Sequence, residues 1–138
     1  MTTVIKKVEY FYTVVPDKAG ESAKILNTLK KAGVNLDAFI GFPLQDGQAQ
    51  LDFVPSDREA FLSAFKESSL ELVGPKVAFM MQGEDRVGAV TNVLDKLERV
   101  EINITAFHAI TAGEGRFGAI FWVKPVNIDQ AAEILAVS

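Results

Sequence analysis

The stretch Pro16-Asp17-Lys18-Ala19-Gly20-Glu21-Ser22-Ala23-Lys24-Ile25-Leu26, running on through Gly33-Val34-Asn35-Leu36-Asp37-Ala38-Phe39, decides the fold. It reads as a strand end, a tight turn, a helix, a stop and a second strand. The pattern returns further on. Asp17, Gly20, Leu26, Leu29, Asn35, Ala38 and Phe39 match Asp85, Gly88, Leu94, Leu97, Asn103, Ala106 and Phe107, each pair 68 positions apart (85 − 17) without a gap. A repeat at fixed offset sets the architecture before any single element does.

Outward from this core, Val8 to Val15 is rich in β-branched and aromatic residues and predicts a strand that Pro16 ends. Ser22, Ile25, Leu26, Leu29 and Ala32 share one helical face, with Gly33 as the stop. Leu36 to Phe42 alternates as a strand, and Asp46-Gly47 signals a hairpin. Gln48 to Val54 then predicts a strand with Ala49, Leu51 and Phe53 inward and Gln48, Gln50 and Asp52 outward. Ser56-Asp57-Arg58-Glu59 has the form of a capping box for a helix carrying Phe61, Leu62 and Phe65. Leu70 to Val73 is expected to be a short strand, with Gly74-Pro75 as the junction.

The second half follows the same order. Val77 to Gln82 and Ile102 to Ile110 predict strands, with a helix striped by Val90, Val93, Leu94 and Leu97 between them. Phe117 to Lys124 is the next strand, and Asn127 is expected to cap a last helix. The fold class is α+β: two ferredoxin-like βαββαβ modules, with helices on one face of antiparallel sheets. The expected boundaries are 1–74 and 75–138. The offset also carries Val4 and Ile5 onto Leu72 and Val73, so Thr3 to Lys7 is expected to complete the second module's sheet beside Val77 to Gln82. The strand from Phe117 is apolar on both faces, with Gly118, Ile120 and Trp122 outward, which predicts that a partner surface covers it.

Composition narrows the function classes. Net charge is −4 and no basic stretch tracks a phosphate backbone, which argues against nucleic-acid binding. Cysteine is absent and His108 is the only histidine, so disulfides, thiolate nucleophiles and a metal centre are not expected. The lysine-bearing N-terminus does not read as a signal peptide, and no apolar run is long enough to span a bilayer. No membrane role is expected, and a cytoplasmic protein is the default. Gly113-Glu114-Gly115-Arg116-Phe117-Gly118 matches the dinucleotide fingerprint as a string, but it joins two strands where that fingerprint opens a helix. No cofactor and no catalytic grouping are predicted.

The turn-to-helix stretches carry the chemistry. Gly20 and Gly88 precede a helix, where a missing Cβ lets backbone N–H groups approach a ligand. A helix N-terminus favours a carboxylate, and Asp17 or Asp85 offers an acceptor for an ammonium. Donors and acceptors in that pairing describe an α-amino acid. Asn35 and Asn103 open the strand after the helix, far from that turn in their own module but able to approach the turn of a neighbouring one. The same residues also serve as plain turn chemistry: aspartates that hold a turn, glycines that permit it, asparagines that tolerate a tight bend.

Val15-Pro16-Asp17-Lys18-Ala19-Gly20, Ala23-Lys24-Ile25-Leu26 and Ala32-Gly33-Val34-Asn35-Leu36-Asp37 resemble the ACT domain, closest to the tandem ACT domains of aspartokinase regulatory regions. Glu84-Asp85-Arg86-Val87-Gly88 and Glu101-Ile102-Asn103-Ile104 carry a weaker second copy, so the resemblance covers nearly the whole chain. It implies an amino-acid ligand at a module or subunit interface, a homodimer and a regulatory, allosteric role. The implied ligand contacts are Asp17, Lys18, Ala19, Gly20 and Asn35, with Asp85, Arg86, Val87, Gly88 and Asn103. Ala19 and Val87 depart from the family, which often has proline at the second of these positions. No catalytic domain is attached, so regulation is expected to act on a separate amino-acid biosynthetic enzyme. The rival readings are a ligand-free ACT dimerisation module and a small ferredoxin-like enzyme.

Overall fold

A computed structural model describes residues 3–137; Met1, Thr2 and Ser138 lie outside the described residues. Six strands and four helices follow one another as β1 (Val4–Pro16), α1 (Glu21–Lys31), β2 (Leu36–Pro43), β3 (Gln48–Pro55), α2 (Arg58–Phe65), β4 (Val73–Glu84), α3 (Thr91–Arg99), β5 (Ile104–Gly113), β6 (Arg116–Val123) and α4 (Ile128–Ile134). Two compact units emerge. Glu9–Lys76 forms the first module, and the residues up to Val8 join those from Val77 onward in the second. β1 and β4 therefore each contribute to both.

In the first module the strands run in the order β2-β3-β1-β4, with β3 antiparallel to both β1 and β2. Alternation sends Phe11, Val15, Leu51 and Phe53 to one face, where they bury Ile25 and Leu29 of α1 and Phe61 and Phe65 of α2. Phe53 is the hub: its ring lies 5.6 Å from Phe39, 5.4 Å from Phe61 and 5.9 Å from Phe65. The hairpin turn at Asp46-Gly47 has positive φ at both residues, the geometry that matches strand twist. α1 ends in a Schellman motif, with Val34 N–H donating to the Leu29 carbonyl and Gly33 taking φ 73°.

In the second module the order is β1-β4-β6-β5, again antiparallel around β6. Phe79, Met81, Phe117, Ala119 and Phe121 bury Val93, Leu97, Ala131 and Leu135, and Ile5 packs on the same cluster. The aromatic pairs repeat in a different form: Phe121 stacks on Phe79 at 5.3 Å and on Phe107 at 5.0 Å. Thr3 lies against Gly83, where an added Cβ would sit 2.8 Å from its hydroxyl.

The structure departs from the sequence reading in several places. Leu70–Leu72 stay outside the sheet, and β4 runs unbroken through Gly74-Pro75. Glycine allows this. Its φ is 139°, and a Cβ there would meet Phe11 Cδ2 at 2.7 Å and the Tyr10 carbonyl at 2.9 Å. Thr3 to Lys7 and Val8 to Val15 are not two strands but parts of one, Val4–Pro16. The cap of α2 is Asp57, whose carboxylate accepts from Ala60 N–H at 3.1 Å; Ser56 is engaged elsewhere. Asn127 stands before α4 but its side chain makes no cap bond, because Pro125 opens a 3₁₀ turn there. Asp52, expected in water, is only 6% exposed and accepts a hydrogen bond from the Gln50 amide. Ile120 and Trp122 are 7% and 9% exposed within the single chain, so the outward face of β6 does not by itself call for a second one.

Candidate ligand site at the helix-entry turns

Asp17, Lys18, Ala19 and Gly20 form an exposed turn between β1 and α1. The turn is held by its backbone. Asp17 N–H donates to the Gly47 carbonyl at 2.8 Å, and Lys18 N–H donates to the Pro16 carbonyl at 3.0 Å. Among the described residues the Asp17 carboxylate has no hydrogen bond or ion pair. It is an unspent acceptor and not the fastener of the turn. Gly20 caps α1 at φ 93° with no side-chain cap, and no atom lies within 4 Å of where a Cβ would stand. Glu21 N–H turns back to the Lys18 carbonyl at 3.4 Å, whereas the Ser22 and Ala23 N–H groups make no such bond and have the partial positive charge of the helix behind them.

The second turn repeats the fastening but not the opening. Asp85 N–H donates to the Gly115 carbonyl at 2.8 Å, and the Asp85 carboxylate is likewise without a partner among the described residues. The sequence reading put Gly88 at the start of the helix; α3 starts only at Thr91. β-Branched Val90 and Thr91 replace Ser22 and Ala23 at this entry and lower its helix propensity. Ala89 N–H turns back to the Arg86 carbonyl at 3.1 Å and Thr91 N–H to the Gly88 carbonyl at 3.0 Å. The first of these bonds repeats the one from Glu21 N–H to the Lys18 carbonyl; the second, at Thr91, has no counterpart at Ala23 and uses up one more donor. Val87 is fully exposed at its tip.

The asparagines stand at the other end of the helices. The eleven residues of α1 separate Gly20 from Asn35, roughly 16 Å at the usual helical rise. No single module brings its own Asp, Gly and Asn together. Asn35 has structural work: its amide donates to Ser56 Oγ at 3.1 Å, and that hydroxyl donates to Asp37 Oδ1 at 2.6 Å. The sequence reading gave Ser56 to a helix cap and assigned Asp37 no role; three polar residues at the two ends of a hairpin are the signal. Asn103 has no such partners, because Lys124 and Thr105 occupy the equivalent positions. Its side chain makes no hydrogen bond among the described residues.

The Gly113–Gly118 string forms the β5–β6 hairpin tip, and His108 lies exposed with its ring 6.0 Å from that of Trp122. Among the described residues no group of three metal-binding side chains assembles, and no helix is long and apolar enough to cross a membrane. Periodicity did not reveal that a cleft opens between the two helices of each module. The first, of about 390 Å³, lies between α1 and the chain after α2; the second, of about 170 Å³, lies between α3 and the end of α4.

No family model matches the sequence, and no curated protein matches it. Solved structures do. Protein BT0572 from Bacteroides thetaiotaomicron is 19% identical with a TM-score of 0.80, over 97% of this chain and 88% of that one. The ligand-free regulatory subunit of aspartate kinase from Thermus thermophilus is 17% identical with a TM-score of 0.65, over 99% of this chain and 95% of that one. Aspartokinase alpha and beta subunits give 18% identity and a TM-score of 0.60, over 98% and 95%. At these identities the likeness is one of fold, and it agrees with the resemblance read from the turns. The chain has the fold of the aspartokinase regulatory subunits: two ferredoxin-like, ACT-type modules in tandem.

Proposed function

We propose that this chain is a regulatory protein of the cytoplasm that senses a small amino acid and acts on a separate metabolic enzyme as a homodimer. The observation that carries the reading is the first turn. An unpartnered Asp17 carboxylate stands beside an uncapped helix N-terminus at Gly20, with open space between. The carboxylate takes the ligand's ammonium, and the N–H groups at the start of α1 take its carboxylate. Lys18 and Ala19 line the turn. Asn103 of a second copy, whose amide has nothing else to bind, completes the site across a subunit interface.

The second turn, with Asp85, Arg86, Val87 and Gly88, is the poorer site because its Thr91 N–H is bonded to the Gly88 carbonyl, a bond the equivalent Ala23 N–H of the first turn does not make. That observation favours, for the second module alone, the reading of a structural copy. No catalytic role is assigned; the structures of like fold include regulatory subunits.

A thermal-shift screen of the full chain against the proteinogenic amino acids tests the proposal. A ligand at about a hundred times its Kd adds about 2.7 kcal/mol, a rise of several degrees. Asp17→Ala removes a charge-assisted contact and lowers affinity by about tenfold or more, while Asp85→Ala changes it little. Gly20→Val is a worse probe, since φ 93° strains valine. No shift with any amino acid, or an equal loss in both variants, overturns the reading.

A further inference from the structure

The cleft between α3 and α4 in the second module is a candidate site that does not depend on the amino-acid reading. Arg86 and Lys96 both line it, together with Asn92 and Thr3, and among the described residues no Asp or Glu does. Val93 and Leu135 form an apolar floor and are buried. Neither cation has an ion pair or a hydrogen bond among the described residues. Like charges left to face one cleft repel each other, and a low-dielectric wall strengthens their combined field.

The equivalent cleft of the first module is built the other way. Glu21 and Glu67 line it, and Lys24 is bonded to the Glu21 carboxylate at 3.2 Å. Glu21, whose side chain is only 17% exposed, becomes Ala89 in the second copy, and Thr28 becomes Lys96. The two exchanges remove an acid and add a base at matching positions. The first cleft sets two acids against one base, and the second is lined by two bases.

We propose that the α3–α4 cleft binds a small oxyanion, with Arg86 and Lys96 as the charged donors and Asn92 and Thr3 as neutral ones. About 170 Å³ is room enough for one phosphate or one small carboxylate. Arg86 supplies a planar fork suited to two oxygens, and Lys96 a point charge.

The test uses the full chain, ¹⁵N-labelled, titrated with inorganic phosphate and separately with acetate, each at constant ionic strength set with chloride. Saturable shifts at the Ala89, Asn92 and Lys96 amides are expected, and the anion that saturates first identifies the source class. Lys96→Gln is expected to weaken binding by about tenfold, and Lys96→Glu to abolish it. Lys24→Gln, in the first module's cleft, is expected to leave the curve unchanged. Linear, unsaturated shifts with both anions, or curves that Lys96→Glu leaves intact, overturn the proposal. Because the probes lack an ammonium group and Lys96 lies outside the amino-acid site, failure here is distinct from failure in the thermal-shift screen.

Discussion

The two modules share a template and differ in how much each position has been specialised. Phe11, Phe39 and Phe53 of the first become Phe79, Phe107 and Phe121 of the second, so the apolar framework is carried over ring for ring. The polar fittings are not. The first module closes its helix with Gly33, caps α2 with Asp57 and ties Asn35 to Ser56 and Asp37. The second has Glu101 at φ 56°, an uncapped α4 and an untied Asn103. Burial constrains the core twice over, while capping and turn chemistry are free to drift wherever the loss is near 1 kcal/mol.

The largest expected effect comes from the strand supply. Deleting residues 1–7 removes Ile5 from the second core and bares the β4 edge. Amide exchange across Val77–Gln82 is expected to lose its protection while Phe53 and its neighbours keep theirs. Equal protection before and after deletion breaks the asymmetry between the modules.

Next are the hubs. Phe53→Ala and Phe121→Ala each remove a wholly buried ring and are expected to cost about 3–5 kcal/mol in urea unfolding. Phe53 touches three other rings and Phe121 two, so the first loss is expected to be the larger. The reverse order, read as midpoint shifts, contradicts the view that ring count grades the two cores.

The helix stops give effects of opposite sign. Gly33→Ala forces a Cβ into φ 73° and is expected to destabilise by about 1 kcal/mol, whereas Glu101→Gly relieves φ 56° and is expected to stabilise by up to about 1 kcal/mol. Smallest is the cap pair. Asp57→Ala is expected to cost about 1 kcal/mol through the lost bond to Ala60 N–H, and Asn127→Ala close to nothing. Matching losses at the two caps, measured by calorimetry, are the result that contradicts this difference.

Where patterns are periodic, the sequence was readable. Apolar spacing located α1 and α3, cap signals located α2 and α4, Asp46-Gly47 located a hairpin, and the 68-position offset showed the duplication. Three kinds of feature were not readable. Gly74-Pro75 looks like a break because local propensity cannot see Tyr10 and Phe11 passing within van der Waals reach. Ser56 and Asp57 are both good caps, and the choice between them was made by Asn35 and Asp37, some twenty residues away. Asp52 alternates like a solvent residue, yet it is buried and hydrogen-bonded. Of the candidate site, the turns and their glycines were legible; the spent Thr91 donor of the second turn was not, since it follows from where α3 actually begins.

The division of β1 between the two modules also sets an order of events in time. The first module, Glu9–Lys76, is contiguous and holds every strand it needs once residue 76 has been synthesised. The second module must join Ile5 to Met81 and its neighbours, closing a loop that contains the whole of the first. At roughly 5–20 residues per second, synthesis brings Met81 within about a second after the first module can already collapse, while the rest of the second module, through α4, takes several seconds more. Such long-range closure is the slow part of folding, and pre-folding the intervening segment shortens the loop that has to be closed. The first module is thus a natural template on the ribosome, holding the start of β1 in place until its partner strand arrives.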